Sequence, residues 1–441
     1  MTKSAKPRSR IFRELIDVCW QCISTEQAAV TDFSGNSNFY KTSLSSVCPP
    51  NRVSVVFLLL IYIFIGTLAN SSSGADLTNQ TKLALKLESI RKKHNLPALG
   101  AAAIVDGRIV NYSVVGIRKV DSIVRAHVND KFHLGSISKS MTGTLLGVLV
   151  EKGLMRWNMT LSGVFPELRD SMQPEFRNVT LLMLASHRAG FRDAGKGINA
   201  VNWHAEPGTP TELRYKYLRM ELTNAPAYPP GTKTHYTFGF EIAAAMCERV
   251  THRPYEGLMK DWLFTPLGMS TAGFGPPGSK TVIDQPWQHR TEKGKFIPVE
   301  PDLHNDNPIV GRAGGGVHCS VIDLSKYLQA HAIGEAGLSR LMRAESFRYL
   351  HTMHFKAEQL ITGSVSDNYG VGWCITRNAA DAGGEMLYHT GSNLMNYTIC
   401  WVAPKKKKAF CVVTDAYGPE VPQACTEALV YMIDEAQRAQ P

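Results

Sequence analysis

The chain has 441 residues, a formal net charge of +10, 44% apolar residues and 20% charged ones. That balance suits a globular protein with a large core and excludes a disordered or fibrous chain. The positive excess is not clustered with aromatic residues, which excludes a nucleic-acid-binding face. Its one dense run, Lys405 to Lys408 after Pro404, lies between two β-like stretches and reads as a solvated turn.

Residues 1–52 are rich in Ser, Asn and Thr without sustained periodicity and read as a flexible tail. Residues 53–69 carry no charge and are mostly apolar, near the lower length limit for a spanning helix. They read as an uncleaved signal anchor; the alternative is the core of a cleaved signal peptide, which would make the protein secreted. Seven Lys/Arg against four Asp/Glu in residues 1–52 favour a cytoplasmic N-terminus. Six N-glycosylation triplets, at Asn70, Asn79, Asn111, Asn158, Asn178 and Asn396, all follow the apolar segment. The expectation is a single-pass membrane protein with its large part lumenal or extracellular. Six of the nine cysteines also follow that segment. Cys400 and Cys411 flank the Pro404–Lys408 turn and are placed to face each other across a hairpin.

After a linker at residues 70–79, residues 77–94 have helical spacing and a basic end. Residues 98–105 and 108–116, joined by Asp106-Gly107, form a β-hairpin signal. An apolar helix runs from Ser136 to Lys152 and stops at Gly153. Residues 155–330 mix short helices with Pro/Gly turns. Four strand candidates follow at 369–375, 385–389, 395–402 and 409–415, then a closing helix at 421–436. This order predicts an α/β (α+β) fold: the early hairpin pairs with the late strands in one antiparallel sheet flanked by helices. The long middle insertion makes a mostly helical second lobe, and a ligand cleft is expected between the two.

Ser136 and Lys139 stand three residues apart at the start of the apolar helix. A serine hydroxyl needs a neighbour to take its proton, and positions i and i+3 share a helix face. The free N–H groups of a helix start favour a developing oxyanion. An uncharged stretch from Ser140 to Val150 gives Lys139 reason to lose proton affinity. The same spacing occurs at Ser89 and Lys92, but within a charged helix, where a solvated face explains it. His187, His235, His318 and His351 lack metal-ligand spacing and read as structural; no metal or cofactor is implied. Trp203, Trp287 and Trp373 suit either a pocket lining or the core.

Ser136-Ile-Ser-Lys139, Pro229-Pro-Gly-Thr-Lys-Thr-His-Tyr236 and His389-Thr-Gly391 follow one another in the order found in the serine β-lactamase/penicillin-binding-protein superfamily. The chain most resembles class C β-lactamases and the related esterases and D-alanyl-D-alanine carboxypeptidases. Leu181-Leu-Met-Leu-Ala-Ser-His-Arg-Ala-Gly-Phe191, Pro266-Leu-Gly-Met269, Ala313-Gly-Gly-Gly-Val317 and Tyr369-Gly-Val-Gly-Trp373 agree with it. The resemblance covers roughly residues 80 to 435. It implies a β-lactamase/transpeptidase-like fold, with a hydrolase domain at 80–441 acting through an acyl-enzyme on Ser136. Lys139 and Tyr236 would share the proton; the N–H groups of Ser136 and Ser392 would form the oxyanion hole; His389, Thr390 and Gly391 would bind substrate. Two positions depart from the pattern. Phe238 stands where the second motif usually carries Asn, and His389 stands where β-lactamases usually carry a carboxylate-binding Lys. Both turn the expected substrate from β-lactams towards small esters, amides or peptides with a D-residue. The rival reading is a catalytically silent relative that binds a ligand or serves as a scaffold. The sequence leaves the oligomeric state open.

Overall fold

A computed structural model describes residues 74–192, 201–355, 368–379 and 382–438. The elements that position the site are, in chain order, α1 (Gly74–Lys93), β1 (Ala98–Val105), β2 (Arg108–Gly116), β3 (Lys131–His133), α2 (Ile137–Glu151), α3 (Leu181–Ala185), α4 (Pro210–Thr223) and α5 (Gly239–Thr251). They continue with β4 (Gly273–Phe274), β5 (Gln288–Glu292), β6 (Lys295–Val299), α6 (Arg312–Gly315), β7 (Val317–Ser320), α7 (Val321–Gly334) and α8 (Ala344–Leu350). The chain closes with β8 (Cys374–Ala379), β9 (Gly384–Gly391), β10 (Tyr397–Ala403), β11 (Lys408–Thr414) and α9 (Val421–Arg438).

The main sheet has the order β2-β1-β11-β10-β9-β8, and its pairings are antiparallel. Asp106 and Gly107 both take positive φ, the backbone a two-residue hairpin turn requires, so β1 and β2 fold back on each other. β1 then pairs with β11, joining the start of the fold to its end. β10 and β11 are buried along their whole length. Helices explain that burial: α1 and α9 pack on the sheet and on each other, while α7 packs on β1, β10 and β11. Leu83, Leu87 and Ile90 of α1 are buried at helical spacing, as are Ala424, Ala428, Leu429 and Met432 of α9. The middle of the chain builds the helical lobe, where α4 and α5 pack together and α3 packs on α5.

Some expectations need correction. α1 begins at Gly74, inside the stretch read as a linker. The segment 369–375 is strand only from Cys374, because Gly370 and Gly372 place their backbone against α8 and α2 instead of a neighbouring strand. Cys400 and Cys411 do stand opposite each other in register, but as buried free thiols. His351 has close partners in the fold, His331 at 2.8 Å and Glu335 at 2.5 Å. Trp203 and Trp373 belong to the core.

The membrane placement is overturned. No helix among the described residues is long and apolar enough to cross a membrane, and residues 53–69 lie outside the described residues. The 20-residue α1 ends in Arg91, Lys92 and Lys93, and the apolar α2 has only 15 residues, short of the roughly 20 a bilayer requires. A membrane partner therefore has no support in the fold. Asn396 is completely buried and donates to the His133 carbonyl, so its side chain is closed to modification in the folded protein.

Candidate active site

Ser136 occupies the position just before α2, with helical backbone angles and no capping hydrogen bond from its side chain. Its hydroxyl is met instead by Lys139, whose Nζ donates to Ser136 Oγ at 3.0 Å and to the Gly314 carbonyl at 3.0 Å. Ser136 is 7% exposed and Lys139 5%. α2 is enclosed by protein, so its other hydroxyls must also find partners. Ser138 Oγ donates to the Gly135 carbonyl and accepts from Val317 N, and Thr142 Oγ1 donates to the Ala313 carbonyl. These bonds tie α2 to α6 and β7, which is how Gly314 comes to face Lys139.

Across from Ser136 lies the end of β9. Gly135 has a φ of +51°, and a Cβ there would lie 2.2 Å from Ser392 N. A Cβ on Gly391 would lie 2.1 Å from the Leu134 carbonyl and 2.7 Å from Ser136 N. Only glycine at both positions lets the two backbones approach this closely. The backbones carrying the Ser136 and Ser392 amides are thereby brought side by side. Behind them, Asn396 Nδ2 donates to the His133 carbonyl and Gly135 N donates to His133 Nδ1. His133 Nε2 lies 3.2 Å from Asp306 Oδ1. Burial opposes ionisation of Asp306, but His133 together with hydrogen bonds from Asn307 and Asn393 holds the carboxyl below its ordinary value.

Tyr236 reaches the same place from the loop before α5. The Lys139 ammonium lies over its ring, 4.5 Å from the centroid, a cation–π contact. His187 packs at a tilt on the other aromatic neighbours: its ring centroid is 4.4 Å from that of Tyr236 and 4.7 Å from that of Tyr369. Burial, and then the Lys139 charge, push the His187 pKa well down, so it acts as a neutral wall. Its Nδ1 accepts from Thr237 N and fixes the loop that carries Tyr236. The sequence signal for this role was the Ser186-His187-Arg188 stretch, which reads as structural until the fold sets it beside Tyr236.

His389 is in the site but turned into the protein. It is 3% exposed, and burial drives its pKa down to about 3. Its Nδ1 lies 2.6 Å from the Thr390 carbonyl, which can only accept, so Nδ1 carries the proton. Nε2 is then an acceptor, and the Tyr369 hydroxyl donates to it at 3.1 Å. Both ring nitrogens are engaged and the ring is uncharged. Thr390 is buried as well. Phe238, at the vacant carboxamide position, packs edge-on to Tyr217 with ring centroids 6.3 Å apart.

One charged group near Lys139 has no counterpart in the motifs. Glu241, in the first turn of α5, is completely buried. Among the described residues, no group of His, Cys, Asp and Glu is arranged to hold a metal ion.

A family model described as Beta-lactamase matches residues 83–430. The putative penicillin-binding protein PbpX of Bacillus subtilis is 26% identical over 302 residues, 67% of this chain and 66% of that protein, just under two thirds of its length. The D-alanyl-D-alanine-carboxypeptidase/endopeptidase AmpH of Escherichia coli is 23% identical over 321 residues, 71% of this chain and 78% of that protein. The octameric penicillin-binding protein homologue from Pyrococcus abyssi shares the fold, with a TM-score of 0.64 and 23% identity, covering 80% of this chain and 77% of that one.

Proposed function

Because this chain belongs to the beta-lactamase family, a family of serine hydrolases, we propose that it cleaves small uncharged esters and amides, D-residue peptides among them, through an acyl-enzyme on Ser136. The observation that carries this reading is the 3.0 Å contact between Lys139 Nζ and Ser136 Oγ inside a buried site. In its neutral form Lys139 accepts the Ser136 proton as Oγ attacks the substrate carbonyl. The tetrahedral oxygen takes up the negative charge facing the Ser136 and Ser392 amides. Removing one such donor typically costs about 10²–10³ in rate. The proton then passes, through Lys139 and Tyr236, to the leaving alcohol or amine as the C–O or C–N bond breaks. Water repeats the sequence in reverse and frees the acid and Ser136.

Two features narrow the substrate. A neutral His389 with both nitrogens engaged supplies no positive charge for a substrate carboxylate. Phe238 offers no amide group to grip a substrate amide, which favours esters over amides and disfavours β-lactams. Phe238 is also the observation that favours the rival, a silent binding protein. Labelling of the full chain with a fluorescent fluorophosphonate, in the wild type and in Ser136→Ala, separates them. The proposal expects label on the wild type alone and turnover of activated esters ahead of D-amino-acid amides. Absence of Ser136-dependent label, together with no turnover across both substrate sets, would leave the binding protein standing.

A further inference from the structure

We propose that Glu241 is the positioning residue that governs the proton inventory of Lys139, taking over at the lysine a task left open where Phe238 replaces a carboxamide. This inference rests on the acyl-enzyme reading of Ser136 and Lys139. It starts from an energetic oddity. A carboxylate is rarely buried without hydrogen bonds, since losing water costs an ion several kcal/mol. Glu241 is completely buried, and among the described residues no side chain bonds its carboxylate, which meets only the backbone amides of Glu241 and Gly314. A glutamine or an apolar side chain at this place in α5 would avoid the cost.

The surroundings say what the carboxylate faces. A Cβ added to Gly314 would lie 2.4 Å from Glu241 Oε1 and 3.3 Å from Lys139 Nζ. Only the edge of a glycine separates the two groups, which places them within about 6 Å, where opposite charges couple strongly. From α4, Arg214 and Tyr217 also feel the carboxylate. Arg214, however, is already held by two carboxylates, Glu248 and Glu256, the latter through two 2.9 Å bonds. Tyr217 is buried and keeps its proton. Lys139, from α2, is left as the cation that Glu241 answers.

Burial raises the Glu241 pKa to about 7; the Lys139 charge is the largest force opposing the rise, followed by the backbone amides of Glu241 and Gly314 and then by Arg214. The charge that faces Lys139 from Glu241 therefore changes in the range where the enzyme would work. An ionised Glu241 favours the ammonium form of Lys139, which holds Ser136 but cannot take its proton. A protonated Glu241 releases that hold, and Lys139 is then freer to lose its own proton and act as the base. Replacing Glu241 by Gln removes the negative charge and lowers the proton affinity of Lys139 wherever Glu241 is ionised in the wild type.

The test reads Lys139 directly, without substrate. The full chain is labelled with ¹³C at lysine Cε and glutamate Cδ, with Lys139→Met and Glu241→Gln used to assign the two signals. In the wild type, Lys139 Cε and Glu241 Cδ are expected to show a common inflection. In Glu241→Gln, the Lys139 midpoint is expected to fall by about one pH unit or more. The acid limb of fluorophosphonate labelling at Ser136 should move by the same amount, and Glu241→Asp should restore most of it. Independent titration of the two wild-type signals, or a Lys139 midpoint unmoved in Glu241→Gln, overturns the inference. A purely structural role would lower labelling equally at all pH values and leave the midpoints in place. Failure of the acyl-enzyme reading shows separately, as label that does not depend on Ser136, and leaves the titration interpretable.

Discussion

Ser89/Lys92 and Ser136/Lys139 share one spacing and two fates. Ser89 lies on the exposed face of α1, and Lys92, 70% exposed, pairs at 3.5 Å with Glu88. Ser136 and Lys139 are buried at the start of α2, with Gly314 receiving the lysine and the end of β9 facing the serine. Helix geometry brings the two side chains to one face in both places. Chemistry needs more: a lysine withdrawn from water, a hydroxyl with no capping duty, and donors arranged where charge will develop. In α1 every one of these is absent, because solvent meets the charge more cheaply than protein can.

Substitution of the two serines should separate the pairs most. Ser136→Ala is expected to abolish fluorophosphonate labelling and lower ester turnover by at least about 10³-fold, while Ser89→Ala leaves both unchanged. Gly391→Ala comes next. Its Cβ collides with the Leu134 carbonyl and crowds Ser136 N, and kcat/KM for an activated ester is expected to drop about 10²–10³-fold. Lys139→Ala should cost about 10²–10⁴-fold in the labelling rate, where Lys92→Ala costs none.

Stability sharpens the contrast from the other side. The Glu241 pKa is raised from 4.5 to about 7 on folding. Below pH 4.5 both folded and unfolded chains hold the proton. Between the two values only the folded chain does, so stability falls as pH rises through that window, and the cost is complete above about pH 7. Glu241→Gln is therefore expected to be more stable than wild type at pH 8, on the order of 1–3 kcal/mol in urea unfolding, with the advantage vanishing near pH 4. The smallest effect belongs to the exposed pair: Lys92→Ala should shift stability by no more than about 0.5 kcal/mol, because its partner Glu88 remains bonded to Arg91.

How far each region could be read from the residues depended on how local its cause is. Helices α1, α2 and α9 and the β1–β2 hairpin announce themselves through apolar periodicity and the Asp106-Gly107 turn. Strands β3, β4 and β7 have two to four residues each, too few to show a period, and exist because they pair with one another. The segment from Tyr369 looked like a strand because its composition is right, yet its glycines serve contact with α2 and α8.

The residues alone set the three-residue spacing of Ser136 and Lys139, the hairpin, and the order of the three motifs, since these depend on contacts a few residues apart or on residue types in line. Only the tertiary structure decided that His389 is neutral and closed by Tyr369, twenty positions away in the chain. It alone set Gly314 against Lys139, and it alone turned Glu241 from an ordinary first-turn acid of α5 into a buried carboxyl that faces Lys139 across Gly314. Those outcomes follow from burial and from long-range partners, which carry no signature in the linear order of residues.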